Sequence, residues 1–138
     1  MIRKTSKRQP NLKAKLDRVF SEFIRLRDSD ENGYIRCISC NSIHKWKESD
    51  AGHYVNRSIM SLRYDEKNVN AQCRHCNRFQ EGNMIGYNHG LVDKYGDSVI
   101  SYLNIKRFNF CKMGDVEYSS LIKYYQGKVK ELKKEKGI

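Results

Sequence analysis

The chain has 138 residues, enough for one domain with a core of its own and too few for two, and only 38% of them are apolar. No stretch approaches the roughly 20 apolar residues that cross a bilayer, and the start MIRKTSKRQP has no hydrophobic signal core, so a soluble, cytoplasmic protein without a membrane partner is expected. Twenty-seven Lys and Arg against 16 Asp and Glu give a net charge of +11, which favours nucleic acid as partner because neutralised phosphates release counterions.

Residues 1–10 read as a flexible basic arm ending at the only proline, and residues 11–138 as a single domain. From Asn11, a suitable N-cap, Leu12, Leu16, Val19, Phe20, Phe23 and Ile24 recur at intervals of three and four. That spacing predicts an amphipathic helix of about four turns, broken at 29–33 by Ser-Asp-Glu-Asn-Gly. Residues 34–85 carry a short strand at 34–37, a Cys-x-x-Cys knuckle, strand character over 50–56, and a turn leading into a helix near Cys76. His44 falls in a polar loop and reads as solvent-facing, His75 points to solvent or phosphate, and His89 reads as structural. Trp46 reads as a lid on the cysteine finger. Residues 86–138 are helical over 87–95, 97–104 and 117–135, the last with Leu121, Tyr125, Val129 and Leu132 on one face and a lysine-rich end. The fold class is α+β.

Five cysteines do not make a disulfide framework, but Cys37-x-x-Cys40 and Cys73-x-x-Cys76 are two matched pairs, 36 residues apart from first to first. In a reducing compartment that pattern is a metal signature. Four thiolates complete a closed tetrahedral zinc site, which leaves no position for water and is therefore structural. Its binding energy would help fold a chain with few apolar residues. Cys111 is left over and reads as a small buried hydrophobe. His53, midway between the pairs, meets a shell that is already full, so it is either a structural residue or a general base.

The order Cys37-x-x-Cys40, Gly52-His53, Asn68, Cys73-x-x-Cys76-Asn77 resembles the HNH, or ββα-metal, nucleases in the variant whose finger is tied by four cysteines. The Cys-x-x-Cys-Asn step is similar to that of endonuclease VII-type resolvases. More narrowly, AGHY, LRYDEKNVNAQCRHCN and GNMIGYNHGLVDKYG resemble the NinG/Rap recombination proteins of lambda-like phages, over roughly residues 34–105. The resemblance implies a zinc-tied ββα-metal finger (34–85) in a phage or prophage protein that works in a bacterial host. It implies His53 as general base and Asn77, through its amide oxygen, as a ligand of a catalytic Mg2+ or Mn2+ ion that neutralises the leaving oxygen. Asn68 would brace the loop that carries the histidine.

Many HNH nucleases carry an aspartate directly before the base histidine; here that position is Gly52. Asp50, or Glu81 one helical turn after Asn77, could supply the missing carboxylate. Arg57, Arg63, Arg74 and Arg78 flank the proposed centre and would grip phosphates. The function implied is a structure-selective endonuclease for branched DNA such as Holliday junctions and D-loops. Because a four-way junction is two-fold symmetric, a homodimer is expected, with the terminal helices as candidate dimer elements. The rival readings are an HNH nicking or homing-type endonuclease on duplex DNA, and a non-catalytic zinc-finger DNA-binding accessory protein, which Gly52 favours.

Overall fold

The computed structural model describes residues 11–138; the arm read over 1–10 lies outside the described residues. Helix α1 (Leu12–Arg27) begins where the Asn11 side chain accepts a hydrogen bond from the Ala14 N–H at 3.1 Å. Its Leu16, Phe20, Phe23, Ile24 and Leu26 are buried, as the three-and-four spacing requires. They pack against α5 (Asp115–Lys136), which buries Ile122, Tyr125 and Val129. The rings of Phe20 and Phe23 each lie 4.9 Å from that of Tyr125. Lys136 closes the far end by donating to the Leu26 carbonyl at 2.6 Å. The buried apolar faces of the two terminal helices, named from the sequence as candidate dimer elements, pack against each other within one chain.

Two antiparallel strand pairs lie beside this helix pair. Strands β1 (Tyr34–Arg36) and β2 (Ile43–Lys45) flank the first knuckle, and β3 (Ser49–His53) pairs with β4 (Val69–Cys73) so that His53 faces Val69 across the ladder. Val69 and Ala71 join the α1–α5 core. The short helix α2 (Met60–Arg63) lies between β3 and β4 in sequence. Helices α3 (Met84–Tyr95) and α4 (Val99–Lys106) cover a second apolar cluster of Val55, Leu62, Tyr87, Leu91, Val99 and Leu103. Helix α3 lies directly on the first knuckle: a Cβ at Gly86 would stand 2.1 Å from the Ser39 carbonyl oxygen, and one at Gly90 1.9 Å from that of Ile38. Only glycine permits so close a backbone approach.

The fold is thus mixed α+β, with several departures from the sequence reading. The expected strand over 50–56 stops at His53, and 43–45 is strand rather than polar loop. His44 there is half-buried, 2.8 Å from the Ser42 hydroxyl rather than facing solvent. The helix near Cys76 is a single π-helical turn, His75–Phe79, and α3 starts afresh at Met84. The helices expected over 87–95, 97–104 and 117–135 are Met84–Tyr95, Val99–Lys106 and Asp115–Lys136. Trp46 packs in the α1–α5 core, ringed by Arg25, Lys47 and Lys133, instead of covering the cysteines. Cys111 is exposed, not buried. No helix among the described residues is long and apolar enough to cross a membrane.

Phe20→Ala removes a ring wedged between Tyr64 and Tyr125. We expect a loss of about 3–5 kcal/mol in urea unfolding; a loss below about 1 kcal/mol would mean that the α1–α5 contact is not the main core.

Candidate metal centre and cleft

Cys37 and Cys40 come from the knuckle between β1 and β2, Cys73 ends β4, and Cys76 sits in the π-helical turn. Their four sulfur atoms all lie within 4.8 Å of one another, with Cys40 and Cys73 at 3.8 Å. A tetrahedron with zinc–sulfur bonds of about 2.3 Å has sulfur–sulfur edges of roughly 3.8 Å, so the set fits zinc. The Ser39 and Cys76 N–H groups donate to the Cys37 and Cys73 sulfurs at 3.4 and 3.3 Å, and the Asn83 amide to Cys76 at 3.5 Å. Donors aimed at sulfur favour the thiolate that a metal needs. The four cysteines could therefore hold one zinc ion, and all-sulfur ligation leaves no open position for chemistry.

The chemistry-bearing residues lie elsewhere, around a cleft of about 450 Å3 between α1 and β3 whose walls include Asp50, His53, Arg57, Arg63, Asn77 and Arg78. His53 ends β3, with its Nε2 2.9 Å from the Arg63 carbonyl oxygen. A carbonyl oxygen can only accept, so in the neutral ring Nε2 carries the hydrogen and Nδ1 keeps its lone pair. Burial lowers the imidazole below its ordinary value, and the Arg57 and Arg63 charges push the same way, against the opposing pull of the Arg63 carbonyl.

Asn68 is wholly buried. It accepts from the Val55 N–H at 2.8 Å and donates to the Val55 and Leu62 carbonyls at 3.0 and 3.1 Å, clamping both ends of the loop that follows His53. Asn77, in the π-helical turn, donates its amide N–H to Asp50 at 3.0 Å, which fixes the rotamer and turns the amide oxygen away from that carboxylate. Arg78 grips Asp50 through two bonds of 2.9 Å, and Arg74 lies 4.0 Å away. Burial alone would raise the Asp50 carboxyl, but the Arg78 and Asn77 hydrogen bonds hold it below the usual carboxylate range.

Two of the expected carboxylate positions fare differently. Asp50 lines the cleft, whereas Glu81 does not. Glu81 follows the end of the π-helical turn with a left-handed φ of 49° and is exposed, so the shared helix face with Asn77 is not formed. The family's aspartate position is closed as well. Strand alternation turns residue 52 away from His53, and a Cβ there would meet the Gln72 amide oxygen at 1.9 Å. Gln72 cannot easily yield, because its Nε2 is bonded to the Ser39 hydroxyl at 2.9 Å and the Gly82 carbonyl at 2.6 Å.

The arginines divide too. Arg57 and Arg78 are exposed at the cleft, and Arg74 is exposed beside Asp50. Arg63 is buried and not available to a phosphate; Asp17 of α1 takes its Nε at 3.0 Å and its Nη2 as well. Asp17 also accepts from the Tyr64 hydroxyl at 2.6 Å and from Arg57 at 3.2 Å. Burial would raise this carboxyl, but Arg63 and Tyr64 hold it below its ordinary value. Sequence reasoning missed Asp17. Its one visible mark was its place three residues before Phe20, beside the apolar stripe.

The family model described as "Bacteriophage Lambda NinG protein" matches residues 2–135. This chain belongs to the NinG family. Among similar NinG proteins, that of Escherichia phage 933W is 32% identical over 112 residues, covering 80% of this chain and 53% of the relative. Those of Salmonella phage P22 and Escherichia phage lambda are 33% and 34% identical over 108 residues, covering 73% of this chain and 51% and 50% of the relatives. This NinG chain thus spans about half the length of the curated relatives it matches. No solved structure matches it.

If the four cysteines of this NinG chain hold zinc, metal analysis by plasma emission should find one zinc per wild-type chain and near none in Cys37→Ser or Cys73→Ser. The same variants should unfold at lower urea, since binding energy for such a site is folding energy. Wild-type zinc content in both variants would contradict the assignment.

Proposed function

We propose that this NinG chain is a divalent-cation-dependent endonuclease that cuts branched recombination intermediates such as Holliday junctions and D-loops. The observation that carries the reading is the pairing of two pinned side chains in one cleft: His53, whose Nδ1 has no hydrogen-bond partner among the described residues, and Asn77, with its amide rotamer fixed by Asp50. The β3–β4 pair followed by a helical turn bearing Asn77 also supports the ββα-metal reading.

Phosphodiester hydrolysis needs a base for water, charge against the phosphate, and relief of charge on the leaving oxygen. His53 Nδ1 takes the proton from water, and the Arg63 carbonyl, accepting from Nε2–H, stabilises the imidazolium that results. Asn77 Oδ1, its rotamer fixed by the bond to Asp50, would hold magnesium or manganese, which when bound would supply Lewis-acid chemistry toward the phosphate and the leaving oxygen. Arg57 and Arg78 stand at the cleft with exposed guanidinium groups and meet the phosphates on either side. Recognition by backbone rather than base sequence suits a chain with a net charge of +11 and no row of base-reading side chains. Cutting two opposed strands of a symmetric junction calls for two copies.

One observation favours the non-catalytic accessory reading. Asp50, the cleft carboxylate nearest Asn77, is already neutralised by Arg78, and position 52 has no room for another.

A denaturing gel decides. A labelled four-way junction and a matched linear duplex are incubated with magnesium or manganese and wild type or His53→Ala. We expect junction-selective cutting that falls by about 10²–10⁴ in His53→Ala while junction binding is retained. Because the imidazole is held below its ordinary value, activity should persist through neutral pH and fall only below about 6.5. Equal cutting of both substrates would make it a duplex-nicking enzyme, and no cutting in either metal an accessory protein.

A further inference from the structure

Between α4 and α5 the chain runs Arg107-Phe108-Asn109-Phe110-Cys111-Lys112-Met113. Phe108 is 84% exposed and Phe110 92% exposed, with Ile105 and Val116 also in water beside them. Isolated exposed apolar residues are ordinary, but two nearly naked phenylalanines in one turn mark an interaction surface. The turn is also cationic: residues 98–114 contain Lys106, Arg107 and Lys112 and no Asp or Glu. Lys106 is tied to Asp65 at 2.6 Å, whereas the Arg107 guanidinium lies over the Phe108 ring at 5.6 Å.

The turn is held at the cleft from both ends. The Arg107 carbonyl accepts from the Ser61 hydroxyl of α2 at 3.3 Å, two residues before Arg63, whose carbonyl holds His53. At the other end Met113 packs into the α1–α5 core, and the Tyr118 ring lies 6.5 Å from that of Tyr64, a wall of the cleft. Its anchors are thus neighbours of the cleft residues, while its two rings face water.

We propose that Phe108 and Phe110 form a stacking platform for unpaired DNA bases beside the cleft, with Arg107 and Lys112 on the adjoining phosphates. This rests on the reading of the chain as a protein of branched DNA. Aromatic faces accept any base, and interleaved cations supply the sequence-independent grip on the backbone. A second copy of the chain fits less well, since an isologous contact through this turn would set Arg107 and Lys112 against their own counterparts.

The test is binding, measured by fluorescence anisotropy on the zinc-loaded full chain with no other divalent cation. The probes are a four-way junction carrying 2-aminopurine at the branch and a linear duplex of equal length. The variants are Phe108→Ala/Phe110→Ala and Phe108→Trp/Phe110→Trp, whose exposed positions leave the thermal midpoint unchanged. The alanine pair should weaken junction binding by about tenfold or more and abolish the 2-aminopurine response, with duplex affinity held within about twofold and the tryptophan pair restoring both. Equal weakening on both probes, or none, would overturn the proposal. So would sedimentation that finds a wild-type dimer turned to monomer by the alanine pair, which would make the turn a self-interface. Binding involves no cleavage: failure here leaves the nuclease reading standing, and a wild type that never cuts leaves this test valid.

Discussion

Arg63 joins the scaffold to the cleft. Its guanidinium is locked by Asp17 of α1, while its own backbone carbonyl accepts from His53 Nε2. The first bond ties α2 to the terminal helix pair; the second sets the orientation and tautomer of the imidazole. A buried arginine whose carboxylate partner is removed becomes an uncompensated charge, which is far costlier than losing an exposed pair. The position of His53 therefore depends on α1, and α1 depends on α5, so the packing of residues more than 100 apart in the chain reaches the cleft.

Two means of stabilisation divide the small chain between them. The α1–α5 face buries a conventional aromatic and aliphatic core. The β1–β2 knuckle has almost none, since its strands are three residues each and mostly exposed. There the cysteine cluster joins the knuckle to β4, and α3 lies on its backbone through Gly86 and Gly90. Asn77 belongs to the same turn as Cys76, so a zinc ion held by the cysteines would also fix the residue that faces the cleft.

Helix α1 could be read at once, because apolar spacing and an Asn11 cap are local properties. The cysteine cluster was legible for the same reason: Cys-x-x-Cys is a local geometry, and two pairs suffice. The association of His53 with Asn77 was legible only through family resemblance, since no periodicity joins residues 24 apart. Glu81 became a candidate on helical spacing alone, and the π-helical turn with its left-handed exit removed that premise. Asp17 and Arg63 lie 46 residues apart, and a pair formed only by tertiary packing leaves no mark in the sequence. Trp46, between Lys45 and Lys47, and Cys111, between Phe110 and Lys112, were misread because a single residue outside a periodic stretch carries no cue to what it packs against.

A hydrolytic role for this cleft depends most directly on the state of His53. Long-range nitrogen–proton correlation spectra of histidine-labelled protein, recorded across pH without a catalytic cation, report both its tautomer and its titration. The Arg63 carbonyl calls for the hydrogen on Nε2, and burial with the nearby Arg57 and Arg63 charges should hold the titration below the ordinary value near 6.5. A hydrogen on Nδ1 would leave that nitrogen without a lone pair for water, and an imidazole that stays charged through neutral pH would be no base there; either result would contradict the nuclease reading.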